Sequence, residues 1–125
     1  MSKISTEVVI SAAHLVQTTS SECRILHGHN WRFIIFIDGA VMPDGMIKDF
    51  KEIKRIVNQM DHKTLLPEEI VTIEDDHYIF KSGGLKYTLP KLACILLPIP
   101  VVTAEKLSEL VYLELKKGPV WKNIC

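Results

Sequence analysis

Residues Ile4 to Ala13 alternate in polarity and then turn apolar, the pattern of a half-buried strand. His29 to Gly39 (HNWRFIIFIDG) is rich in Ile, Phe and Trp and closes on an Asp-Gly turn signal, which predicts a second strand. Between them, Leu15 to Leu26 is polar at its centre and reads as a loop or excursion. Asp49 then predicts a helix start. Its carboxylate can accept from free N–H groups of the first turn, and Glu52 completes a capping-box pattern. Phe50, Ile53, Ile56, Val57 and Met60 recur at helical spacing and form one apolar face that stops at Asp61-His62.

Further along, His77 to Lys81 and Leu85 to Leu89 flank Ser82-Gly83-Gly84 and predict a hairpin with a glycine turn. Leu92 to Ile99 is a continuous apolar strand closed by Pro98 and Pro100. Thr103 can cap a second helix whose period is set by Leu107, Leu110, Val111 and Glu114 and which ends at Gly118-Pro119. Trp121 to Cys125 reads as the beginning of another strand. The order β-β-α-(hairpin)-β-α-(β) does not alternate strictly. It therefore predicts an α+β fold, an antiparallel sheet carrying helices on one face. No solenoid-period repeat, low-complexity tract or linker interrupts it, so residues 1–125 are expected to form a single domain.

Charge narrows the partners. Fifteen Lys+Arg balance fifteen Asp+Glu, which leaves no basic excess for gripping nucleic acid or an anionic membrane. A neutral surface does not resist association, so oligomerisation stays open. The three cysteines are odd in number and sparse, unlike a secreted disulfide framework. No apolar run approaches the roughly 20 residues of a membrane span, and Met1 to Thr6 lacks a signal-peptide pattern. A cytoplasmic location is expected by elimination.

The candidate chemistry centres on histidine. His27-Gly28-His29 enters the second strand, and residues two apart on a strand share a face. Two such imidazoles can share one metal ion. His14 ends the first strand and can approach them if the two strands pair as an antiparallel unit. Three His without an obvious fourth ligand is the pattern of a catalytic zinc, although imidazole also suits Cu, Ni or Fe. Set against this, an isolated His-x-His pair is more often two solvated or hydrogen-bonded histidines. Cys23 sits among Ser20, Ser21, Glu22 and Arg24, so exposure is expected, and a nearby cation and Arg24 would favour its thiolate. Cys94, inside an apolar strand, fits a core role. In Asp61-His62, the Asp can orient the His, or the pair is simply a polar helix end. Trp31 and Trp121 read as packing residues.

Taken in order, Ser11-Ala12-Ala13-His14, Cys23-x-x-x-His27-Gly28-His29-Asn30-Trp31, Gly45-Met46-Ile47-x-Asp49-Phe50, Asp61-His62 and Thr103-Ala104-Glu105 resemble the 6-pyruvoyl-tetrahydropterin synthase / 6-carboxytetrahydropterin synthase (QueD) family, from about residue 4 to residue 115. The resemblance implies the tunnelling fold (T-fold): a four-stranded antiparallel sheet with two helices on one face, assembling into a barrel of subunits. It implies zinc on His14, His27 and His29, and proton transfer by Cys23, Asp61 and His62. Thr103, Ala104 and Glu105 would help recognise the pterin, and active sites would lie between subunits of a trimer-based homo-oligomer, with a hexamer as one form. The implied substrate is 7,8-dihydroneopterin triphosphate.

Within the family, Cys23 lies four residues before His27, as in QueD-like members. This favours 6-carboxy-5,6,7,8-tetrahydropterin synthase, a step towards 7-deazaguanine (queuosine or archaeosine) nucleosides. The alternatives are a 6-pyruvoyl-tetrahydropterin synthase and a non-catalytic zinc- and pterin-binding protein. The chain departs from the pattern in an insertion near residues 68–91 that carries the hairpin, and in Lys106 where Asn is usual. The family's last strand carries a pterin-anchoring glutamate. Here the corresponding strand is expected to be incomplete at Cys125.

Overall fold

The computed structural model describes residues 2–47 and 49–117. Its elements are β1 (Ser2–His14), β2 (His27–Gly39), α1 (Phe50–Asn58), β3 (Thr64–Pro67), β4 (Thr72–Glu74), β5 (His77–Ser82), β6 (Leu85–Pro90), β7 (Cys94–Leu97) and α2 (Ala104–Lys117). Short 3₁₀ turns occupy Glu22–Arg24, Glu68–Ile70 and Lys91–Ala93. The expected helix end at Gly118-Pro119 and the expected strand at Trp121 to Cys125 lie outside the described residues.

The long strands form an antiparallel ladder from Ser2 opposite Gly39 to His14 opposite His27. Directly opposed residues share a face, so Val8, Ile10, Ala12 and His14 face the same way as Phe33, Trp31, His29 and His27. That face is the core face: Val8, Ile10, Ala12 and Ile35 are buried with Ile53, Ile56 and Val57 of α1 and Leu107, Leu110 and Val111 of α2. Both helices start where their caps place them. The Asp49 carboxylate accepts from the Lys51 N–H at 2.9 Å, and the Thr103 hydroxyl accepts from the Lys106 N–H at 3.2 Å. Phe50, expected on the buried face of α1, is exposed as the helix's first residue; the buried face starts at Ile53.

Two strands join this ribbon differently from a uniform antiparallel sheet. The order is β2-β1-β3-β7, with β3 parallel to β1 through Ala13 and Thr64 and β7 parallel to β3. All four residues of β3 are buried. The sequence does not announce this strand, because a four-residue apolar run has no period to read. The apolar run expected over Leu92 to Ile99 is a strand only at Cys94–Leu97. Lys91–Ala93 turns instead, and Leu92 is 84% exposed.

The predicted hairpin forms with β5 and β6, and β4 adds a third strand that its three exposed residues did not announce. Gly83 (φ 60°) and Gly84 (φ 79°) supply the two positive φ angles of a two-residue hairpin turn. This small sheet covers a second apolar cluster of Leu15, Leu66, Phe80 and Cys94, with Tyr87 stacked on Phe80 at 5.1 Å. Burial pushes the Cys94 thiol up to about 11, which keeps it a neutral core side chain. Among the described residues, no helix is long and apolar enough to cross a membrane.

Candidate active site: three histidines, a cysteine turn and an Asp-His pair

The β1–β2 register brings the three predicted histidines together. His14 opposes His27, and His29 follows two residues on along the same face. Ring centroids lie 4.6 Å (His14–His27), 5.1 Å (His14–His29) and 4.7 Å (His27–His29) apart, and one nitrogen of each lies within 4.8 Å of the others. His14 is buried, and its Nδ1 sits 2.8 Å from the Val102 carbonyl. A carbonyl only accepts, so Nδ1 carries the proton and Nε2 presents its lone pair. Among the described residues, that buried Nε2 has no hydrogen-bond partner. His27 repeats the arrangement, with Nδ1 2.7 Å from the Ile25 carbonyl. Burial lowers the His14 pKa below its ordinary value. The Val102 hydrogen bond opposes this, and the charges of His27 and His29 act with burial.

A buried lone pair with no partner, aimed among two more imidazoles, is what a metal ion satisfies. The donor set fits the expected group: three imidazoles can hold one zinc and leave a position open. Trp31 closes one side. Its ring stands edge-on to His14 (4.8 Å) and His29 (5.4 Å), and its Nε1–H donates to the Ala12 carbonyl at 3.1 Å. Trp31, expected as a packing residue, also walls the site, because the two-residue period from His27 through His29 puts it on this face.

Asp61 and His62 do form a pair. His62 Nδ1 lies 3.1 Å from Asp61 Oδ2, an approach open to adjacent residues here because His62 takes a left-handed backbone (φ 62°). The pair is anchored on the edge of β1. The Ser11 N–H donates to Asp61 Oδ1 at 2.9 Å, and the His62 N–H donates to the Ser11 carbonyl at 2.6 Å. Ser11 in turn donates its hydroxyl to Asn30 Oδ1 at 2.9 Å. The His62 side chain is 81% exposed. It shares an open depression with His29, Gly28 and Asn30.

The Ser11 N–H first, and then the His62 ring, hold the Asp61 carboxyl below its ordinary 3.8 against partial desolvation. A carboxyl depressed on folding adds stability above that ordinary value and loses it as pH falls through the lower folded value. Asp61→Asn is therefore expected to flatten the acid limb of the stability profile below pH 3.8, seen in melting temperatures across the acid range. An unchanged acid limb would mean that these contacts do not hold in solution.

Cys23 is exposed, as expected, in the turn Glu22–Arg24. Ser21 Oγ accepts its N–H at 3.2 Å, and the Val16 N–H donates to its carbonyl at 2.8 Å. Within one chain it does not line the depression that holds His62. Thr103, Ala104 and Glu105 begin α2 immediately after Val102, the residue that orients His14. The Thr103 hydroxyl is engaged there as the helix cap.

This α+β layer with its three-histidine centre defines a tunnelling-fold protein. The chain belongs to the 6-pyruvoyl tetrahydropterin synthase family, whose model matches residues 3–124. A Pyrococcus abyssi protein named as a putative 6-carboxy-5,6,7,8-tetrahydropterin synthase is 33% identical over 89 residues, which cover 71% of this chain and 57% of that protein. A Methanocaldococcus jannaschii protein of the same name is 35% identical over 107 residues, covering 78% of this chain and 65% of its own length. The match thus spans less than two thirds of either relative. The solved 6-pyruvoyl tetrahydropterin synthase of Plasmodium falciparum superposes with a TM-score of 0.72 at 26% identity, over 91% of this chain and 77% of that one.

Proposed function

We propose that this chain acts as a zinc-dependent 6-carboxy-5,6,7,8-tetrahydropterin synthase on 7,8-dihydroneopterin triphosphate, in a cytoplasmic route to 7-deazaguanine nucleosides. The observation that carries the reading is the convergence of His14, His27 and His29 beside a turn that presents Cys23 four residues before His27. The names of the archaeal relatives point the same way.

His14, His27 and His29 would hold the zinc, which when bound polarises the substrate's side-chain hydroxyls and stabilises the negative charge left when a proton departs. Cys23 takes or returns a proton on the substrate side chain. His62, held by Asp61, serves the opposite protonation role, and each such group contributes about 10²–10⁴-fold. The segment Thr103–Glu105 borders the pterin. A trimer-based homo-oligomer suits this division of labour, with active sites between subunits: Cys23 and His62 are both exposed and can face a neighbouring copy.

The deciding experiment incubates the zinc-loaded protein with 7,8-dihydroneopterin triphosphate and identifies the product by mass. The carboxy product is expected. Accumulation of 6-pyruvoyl-tetrahydropterin alone would replace this reading with a 6-pyruvoyl-tetrahydropterin synthase, the name carried by the Plasmodium falciparum neighbour. Retained zinc with no turnover would make the chain a non-catalytic zinc- and pterin-binding protein.

A further inference from the structure

The segment from Cys23 to Leu26 has no regular structure beyond its one 3₁₀ turn, yet its four consecutive residues are each pinned. The Cys23 carbonyl accepts from the Val16 N–H at 2.8 Å. The Arg24 carbonyl accepts from the Ser82 hydroxyl at 2.6 Å. The Ile25 carbonyl accepts from His27 Nδ1 at 2.7 Å, and the Leu26 N–H donates to the Tyr87 hydroxyl at 3.1 Å. Two of these four partners, Ser82 and Tyr87, belong to the small β4-β5-β6 sheet, about 60 residues away along the chain.

The sheet is built to reach this segment. Ser82 is buried, so its hydroxyl has little water to turn to in place of the Arg24 carbonyl. Tyr87 is fixed by stacking on Phe80, with ring planes 13° apart. At Gly83 the turn comes so close that an added Cβ would lie 2.9 Å from the Ile25 side chain and 3.2 Å from that of Arg24. The two hydroxyls grip the peptide units on either side of Ile25, and the Ile25 carbonyl selects which nitrogen of His27 is protonated.

We infer that the β4-β5-β6 sheet is a positioning clamp, in which Ser82 and Tyr87 hold Cys23 and the His27 ring in register through the backbone of Arg24–Leu26. Neither side chain belongs to the histidine cluster; both act through the backbone that carries Cys23 and His27. The catalytic part of this inference rests on the proposed function; the mechanical part does not.

The test compares Ser82→Ala, Tyr87→Phe and the control Tyr78→Phe, which alters a tyrosine of the same sheet whose ring lies under Lys91 rather than on this segment. Tyr87→Phe keeps the ring, so the stack on Phe80 and the fold survive. Amide hydrogen exchange over residues 23–27 is expected to rise about 10-fold in both clamp variants, with the peptide covering α2 unchanged. Co²⁺ affinity should fall about 10-fold, and kcat should fall by a similar factor at constant KM, the range for lost orienting partners. Tyr78→Phe should change none of these.

Unchanged exchange over residues 23–27 overturns the clamp. Raised exchange with unaltered Co²⁺ affinity and kcat also overturns it, because the contacts would then be structural only. If the wild type binds Co²⁺ but turns nothing over, the functional reading fails and the affinity of the variants decides the clamp. If the wild type neither binds Co²⁺ nor turns over, the catalytic part fails with the proposed function, and the exchange at residues 23–27 decides the mechanical part: raised in both clamp variants supports it, unchanged overturns it.

Discussion

His27→Ala is expected to lose bound zinc while keeping the fold. Zinc held by a full set of protein ligands is bound by about 10–16 kcal/mol, so removing one imidazole of three should weaken binding by ~10²–10³-fold. His27 is the clean choice among the three. It is only half-buried, and its replacement frees one carbonyl, that of Ile25, beside solvent. His14→Ala would confound the result, because His14 is 5% exposed and its loss would open a cavity in the core and leave the Val102 carbonyl without its donor. Metal analysis after dialysis, with melting curves alongside, separates the two effects. Full zinc occupancy in His27→Ala would remove that residue from the ligand set.

Cys23→Ala carries the second large effect, and its signature is the reverse. Cys23 is not a member of the histidine cluster, so zinc content should stay at the wild-type level. Turnover should fall about 10²–10⁴-fold, the cost of one acid–base group, with KM little changed. The Cys23 backbone contacts to Val16 and Ser21 use main-chain atoms and survive the substitution, so the turn itself should hold. Unchanged turnover would make Cys23 structural. A joint loss of zinc and turnover would instead place the sulfur in the metal's own coordination, contrary to the geometry of the triad. Read together, the two variants separate the group that would hold the metal from the group that would move the proton.

Local signals carried much of the fold because they act within a few residues. The Asp49 and Thr103 caps, the apolar spacing of α1 from Ile53 onward and of α2, and the paired glycines of the β5–β6 turn each need only neighbouring residues to do their work, and each stands where it is expected. The elements that escaped reading are those whose cause is distant. β3 is a strand because β1 and β7 lie beside it, and Leu92 turns outward because Lys91–Ala93 closes the β6–β7 connection. Ser82 and Tyr87 carried no mark of their contacts, since a hydroxyl in a hairpin gives no hint of which carbonyl or N–H it will meet.

The same division runs through the site. By itself, the amino-acid sequence determined that His27, His29 and Trp31 share one face, because the period of a strand is two whatever surrounds it. It also determined that Asp61-His62 leaves a helix and that Cys23 stands among polar neighbours. Tertiary structure decided the rest. The antiparallel register placed His14 opposite His27, and Val102, 88 residues away, chose the nitrogen that His14 presents. The edge of β1 at Ser11 locked Asp61 and His62 together. The physical reason is range: periodicity and capping are settled within one turn or one pleat, whereas register, tautomer and burial depend on partners that only the folded chain brings within a hydrogen bond's length.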